Sequence, residues 1–250
     1  KVQLGAVLVP VPFSPVTVCG FTPRANRAVI GSVKDSKLLL YNLTDRQEIP
    51  LHLLVQEAVT HDGRILARSA DHIYEVVLTD AGSQVLASTR AVANCMPMAP
   101  QLFPGVAIQS MLGSCYVSLF TDPGQAQQVR LPELDGCRVV GAKYDRGVLM
   151  TLVEQAGRYK RKVFRFDGDT YDARVEDSQS SYALNFVTLD SGVCVCLDED
   201  DRLELFSNRK GSSALKHVED PGLAGLTLLK MDGHLTAFRG KQVLSLKMRS

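Results

Sequence analysis

Carboxylates, thiols, imidazoles and a basic run are the groups in this chain that could do chemistry, and their spacing decides which. Asp198, Glu199, Asp200 and Asp201 put four carboxylates in succession. Hard cations such as Ca²⁺ take several oxygen ligands, so the run could hold a cation or meet a cationic partner. It lacks the spaced Asp-x-Asp-x-Asp-Gly loop, and a solvated hairpin turn is the favoured reading. Arg158, Tyr159, Lys160, Arg161 and Lys162 form a basic run with one aromatic. Such a tip could touch phosphates, with Tyr159 stacking on a base. One turn offers only a few contacts, which are weak at physiological salt, so this run also reads first as a solvated hairpin.

The other reactive residues are more scattered. His52, His61, His72, His217 and His234 include no i, i+4 pair, and there is no C-x-x-C motif. That pattern predicts turn or surface histidines rather than a zinc site. His61-Asp62-Gly63 and Asp232-Gly233-His234 fall in matching turns. Asp35, Asp71, Asp145, Asp190 and Asp232 could be gathered around a divalent ion in a central channel, as in metal-dependent lactonases. They fit recurring turn positions better, where Asp is chemically favoured. Gly113-Ser114 lacks the rest of a nucleophile elbow, and no phosphate-binding or dinucleotide fingerprint is present. The sequence therefore predicts a non-catalytic protein with no metal and no cofactor.

Composition narrows the class. The 250 residues carry 28 basic and 27 acidic side chains, a formal net charge of +1. No global field steers the chain to nucleic acid or to an anionic membrane, and no apolar run reaches the length of a membrane-spanning helix. Cys19, Cys95, Cys115, Cys137, Cys194 and Cys196 lie mostly among apolar residues and read as reduced core thiols. That favours an intracellular setting, cytoplasmic or nuclear. The chain opens on Lys1 rather than a methionine, as expected of part of a longer protein.

The elements that must position these groups are strands. A hairpin recurs, its later strand beginning near Leu38, Ile73, Tyr116, Val163, Leu203 and Val243. The interval is about 40 residues, the period of a propeller blade; in the third repeat Val117 is an equally good anchor. Each of the first five units holds three apolar strands and a more polar fourth, as an outer edge strand requires. The predicted fold is all-β: a β-propeller of six four-stranded blades in one domain, 1–250. The blade cores are 16–51, 56–88, 98–131, 138–176, 182–219 and 225–250. The last blade lacks its fourth strand, which the N-terminal strand at 2–9 would supply, closing the ring. Strand spacing alone also suits a β-sandwich or two small β domains, and a seventh blade would need strands from outside the chain.

Val18-Cys19-Gly20-Phe21-Thr22-Pro23 resembles the first element of a WD40 blade. Leu38-Leu39-Leu40-Tyr41-Asn42-Leu43 sits where the Trp-Asp ending belongs, and Phe164-Arg165-Phe166-Asp167 and Leu203-Glu204-Leu205-Phe206-Ser207 are similar. The chain is thus similar to the WD40/YVTN-like propeller superfamily in a degenerate form. It has no Trp, and its Gly233-His234 pair does not open a blade, so the family's Asp-His-Ser/Trp network is not expected. The resemblance implies a propeller and the general role of an interaction platform.

Three functions are consistent with this reading. The favoured one is a non-catalytic protein-interaction scaffold, a domain or subunit of a larger assembly. Its partner contacts would come from Arg158, Tyr159, Lys160 and Arg161 on one turn and Asp198, Glu199, Asp200 and Asp201 on the neighbouring blade's turn. The apolar connection Ala91–Pro100, with Met96 and Met98, would add an adaptable anchor, although blade-to-blade packing is the plainer role for it. The alternatives are a propeller hydrolase with a channel-bound divalent ion, and a weak nucleic-acid contact through the basic turn.

Overall fold

The computed structural model describes residues 12–24, 27–95, 100–178, 184–197, 202–209, 215–218, 225–231, 234–239 and 242–245. The N-terminal strand expected at 2–9 lies outside them. Among these residues the architecture is all-β: six antiparallel sheets, five four-stranded and one three-stranded.

The first sheet holds β1 (Val18–Phe21), β2 (Ala28–Lys34), β3 (Lys37–Asn42) and β4 (Gln47–Ile49). The second holds β5 (Glu57–His61), β6 (Arg64–Arg68), β7 (His72–Ala81) and β8 (Gln84–Asn94). The third holds β9 (Gln101–Phe103), β10 (Val106–Met111), β11 (Ser114–Leu119) and β12 (Gln127–Arg130). A 3-10 turn at Pro132–Leu134 leads into the fourth: β13 (Arg138–Asp145), β14 (Val148–Gln155), β15 (Arg158–Asp167) and β16 (Thr170–Ser178). The fifth holds β17 (Asn185–Thr188), β18 (Val193–Leu197), β19 (Leu203–Ser207) and β20 (Leu215–Val218). The sixth holds β21 (Thr227–Met231), β22 (His234–Arg239) and β23 (Gln242–Ser245). In every sheet the strands lie in sequence order, each paired with its neighbour.

Short turns set this register. Two-residue hairpins favour turns with positive φ at both central positions, because their twist matches that of the strands. Asp35-Ser36 (φ 50° and 58°), Asp62-Gly63 (48° and 70°), Arg146-Gly147 (46° and 84°) and Ala156-Gly157 (52° and 73°) take that form. Gly31 answers a different need. A Cβ there would stand 2.8 Å from Leu40 Cδ2 and 2.9 Å from Val18 Cγ2, so only hydrogen fits between β1 and β3.

The chain divides into two compact units, Lys1–Gln109 with Asp122–Ala126, and Ser110–Thr121 with Gln127–Ser250. In the first, Val18, Val29, Leu38 and Leu40 pack with Ile65, Ala67, Val76 and Leu78, joining the first sheet to the second. In the second, Val148, Met150 and Val163 pack with Phe186, Cys194, Cys196 and Phe206. Val187, Val195, Leu197 and Leu203 pack with Leu226 and Leu228. Central strands covered on both faces lose the usual alternation: six consecutive residues of β14, Val148 to Val153, are buried.

Several expectations need correction. The segment Ala91–Pro100 is not wholly a connection, because Ala91–Asn94 extend β8 along β7 as far as the His72–Asn94 pair. A register shift between Ile73 and Tyr74 accommodates the extra residue. The basic run is not a turn; the turn is Ala156-Gly157, and Arg158 already begins β15. His61 is not a surface residue but the buried end of β5. Cys19 is exposed rather than in the core.

Candidate functional site

The first strand of each sheet forms one edge of it, and within each unit successive first strands are tied by hydrogen bonds that repeat at the blade interval. Glu57 Oε1 on β5 accepts the Leu102 amide of β9 at 2.6 Å. Asp145 Oδ2 on β13 accepts the Thr188 amide of β17 at 2.6 Å. Asn185 Oδ1 on β17 accepts the Leu228 amide of β21 at 2.8 Å. In each case a polar side chain satisfies an edge amide of the next sheet, which would otherwise be an orphan donor. Thr60 Oγ1 on β5 plays a related part, accepting the Cys19 amide at 2.7 Å and donating to the Cys19 carbonyl at 3.2 Å.

Buried charged groups have defined partners. Glu204 on β19 is 3 % exposed and accepts from Arg161 Nη2 at 3.1 Å and Arg174 Nη2 at 2.9 Å. Arg161 Nη1 also donates to Cys196 Sγ at 3.5 Å, and the Arg174 guanidinium lies 5.5 Å from the Phe206 ring centroid. Lys162, equally buried, donates to the Glu133 carbonyl and to Cys137 Sγ. Of the basic run, then, Arg161 and Lys162 serve the interior. Arg158 is exposed, and Tyr159 and Lys160 are half-buried. Asp198–Asp201, Met96 and Met98 lie outside the described residues.

No group of three or more His, Cys, Asp or Glu side chains among the described residues is placed to hold a metal ion. The aspartates proposed for a channel site have separate duties. Asp35 occupies a turn, Asp145 ties β13 to β17, and Asp190 pairs with Arg146; Asp232 is outside the described residues. Asp71 accepts from Ser69 Oγ at 2.7 Å and sits 3.1 Å from His72 Nδ1, and these contacts lower its pKa. Burial lowers the pKa of Lys143, opposed by Asp145; its Nζ donates to the Phe186 carbonyl and lies 4.9 Å from that ring's centroid. Burial also holds the Cys194 thiol well above its ordinary value.

The surface also carries exposed apolar side chains. Leu112 is 98 % exposed at the tip of the β10–β11 hairpin, with φ of 50° and Gly113 behind it at 82°. Asn, Asp or Gly suits that backbone; a γ-branched leucine there is unusual. Tyr116 on β11 and Val175 on β16 add further exposed apolar surface.

No family model matches the chain, and no curated protein matches it. Among solved structures it is similar to Hsv2 of Kluyveromyces lactis, at 15% identity over 86% of this chain and 74% of that chain, with a TM-score of 0.45. The same protein with its loop 6CD complete gives 14% identity, the same coverages and a TM-score of 0.45. Hsv2 of Kluyveromyces marxianus gives 13% identity over 86% of this chain and 72% of that chain, with a TM-score of 0.43.

Sequence reasoning missed Leu112 and Glu204. Leu112 carried a signal: a Leu-Gly pair where a hairpin of this length prefers Asn-Gly or Asp-Gly. Glu204 carried none, because a lone acid in an apolar strand does not announce which arginines of the preceding sheet will reach it.

Proposed function

We propose that the chain is a non-catalytic protein-interaction scaffold, built as one six-bladed β-propeller and serving within a larger assembly. The six sheets are its blades, and residues 2–9 supply the fourth strand of the last. Side-by-side first strands within each unit, tied at the blade interval, support this arrangement. The scaffold reading is carried by Leu112: an almost fully exposed leucine held in a backbone conformation it disfavours. Strain of this kind at an exposed position points to function. Arg158, Tyr159 and Lys160, with Asp198–Asp201, Met96 and Met98, would supply the partner's polar and adaptable contacts. Six free thiols suit a reducing compartment, cytoplasm or nucleus. No helix among the described residues is long and apolar enough to cross a membrane.

The test is affinity capture from a native lysate with the wild-type chain and with Leu112→Asp, the eluates quantified by mass spectrometry. A partner recovered in stoichiometric yield and reduced at least tenfold by the substitution, with thermal unfolding unchanged, is the expected result. Equal recovery on both baits, or no partner on either, would overturn the assignment.

A further inference from the structure

Cys137 has a primary amine at hydrogen-bonding range. It follows the 3-10 turn, its amide donating to the Leu134 carbonyl at 3.1 Å, and its side chain is partly exposed. Behind the sulfur stands Lys162 of β15, 6 % exposed, with Nζ 3.4 Å from Sγ. Both groups are pinned on the Glu133 carbonyl, to which Lys162 Nζ donates and Cys137 Sγ donates at 3.8 Å. Cys137 is thus partly accessible and has a positioned nitrogen against its sulfur.

We propose that Cys137 and Lys162 form a peroxide-triggered covalent cross-link, a sulfenamide joining Sγ to Nζ. Hydrogen peroxide oxidises the thiol to a sulfenic acid, its O–O bond breaking and one water leaving. Lys162 releases one proton to solvent, and its neutral nitrogen then attacks the sulfur: the S–N bond forms, the S–O bond breaks, and the leaving hydroxyl takes a second amine hydrogen to depart as water. The sum consumes one peroxide, yields two waters, and removes two hydrogens and the ammonium proton from the protein. Sulfenic acids condense in this way with nearby nitrogen or thiol nucleophiles, and the one held against Cys137 is the amine.

Two neighbouring thiols are placed differently. Cys196 has Arg161 at 3.5 Å, but a guanidinium is a poor nucleophile and that sulfur is fully buried. Cys115 is the competing thiol near Cys137. It is buried, its amide is held by Asp135 Oδ1 at 2.7 Å, and burial pushes its thiol up to about 11, so it stays protonated at neutral pH. The cross-link would join positions 25 residues apart, tying β15 to the segment that enters its own sheet. Closing that loop restricts the unfolded chain, so peroxide treatment should raise the melting temperature.

The experiment treats the full chain with equimolar hydrogen peroxide, alkylates remaining thiols, digests it without reductant and maps the peptides by mass spectrometry. The expected product is a peptide pair linking Cys137 to Lys162, two hydrogens lighter than its parts and released by a dithiol. Lys162→Arg keeps the charge and removes the nucleophile; it should abolish the link and leave a sulfenic acid that dimedone captures. Wild-type mapping decides alone if that variant does not fold. Cys137 recovered as a free thiol, as a sulfinic acid beside unmodified Lys162, or in a disulfide with Cys115 would each overturn the proposal.

Discussion

Asp145 and Thr188 hold each other twice: the aspartate carboxylate accepts the threonine amide at 2.6 Å, and Thr188 Oγ1 donates to the Asp145 carbonyl at 3.0 Å. Thr188 is fully buried, so removing the carboxylate leaves an amide with nowhere to turn. Asp145→Ala should cost about 1–3 kcal/mol of stability, read by urea unfolding. A loss within the noise of an ordinary surface substitution would show that the contact does not matter.

Glu204 is the shared anion for two arginines that the interior has partly desolvated. Glu204→Ala removes the buried carboxylate that Arg161, whose side chain is 11% exposed, shares with Arg174, and should cost about 3–5 kcal/mol. Arg174→Ala should cost much less, because that side chain is 38% exposed and Glu204 keeps its other partner. Equal losses in the two variants, measured by denaturant titration, would contradict this ordering.

Leu112 should separate stability from binding. Asn fits the left-handed position better than leucine, so Leu112→Asn should stabilise the chain by up to about 1 kcal/mol while weakening partner capture. Calorimetry and a binding assay on the same preparation check both halves. Lost stability would mean that Leu112 packs against something and is not a free tip.

The Cys115 thiol gives the alkaline limb of stability a definite sign. Burial, helped by Asp135 and Cys137, pushes it up to about 11 from the ordinary 9.0. Between those values the unfolded chain has already released the proton that the folded chain keeps, so stability falls as pH rises through the window. Below the ordinary value both states are protonated and the contribution is complete. Cys115→Ala should flatten the fall, seen in denaturant midpoints near neutral pH and midway through the window.

Strand positions were legible because turn chemistry punctuates them. Asp62-Gly63 and Arg146-Gly147 sit between runs that alternate or stay apolar, and β3, Lys37–Asn42, starts within one residue of the strand expected near Leu38. Legibility failed where pairing, not local sequence, decides. Arg158 to Lys162 read as a turn because five polar residues in succession look solvated, yet β15 pairs through them with both β14 and β16. Ala91–Asn94 read as a connection because the ladder that extends β8 is visible only from its partner, β7. The ties between first strands were out of reach for the same reason: Asn185 and Leu228 are 43 residues apart, and nothing at either position names the other.

The proposed propeller requires the six sheets to close as one ring, for which residues 2–9 would have to complete the sheet of β21, β22 and β23. Deleting residues 1–11 and following amide hydrogen exchange tests it most directly. The account predicts that β23, Gln242–Ser245, loses protection and that the melting temperature drops sharply. Unchanged protection in β23 with unchanged melting would contradict closure by the N-terminal strand.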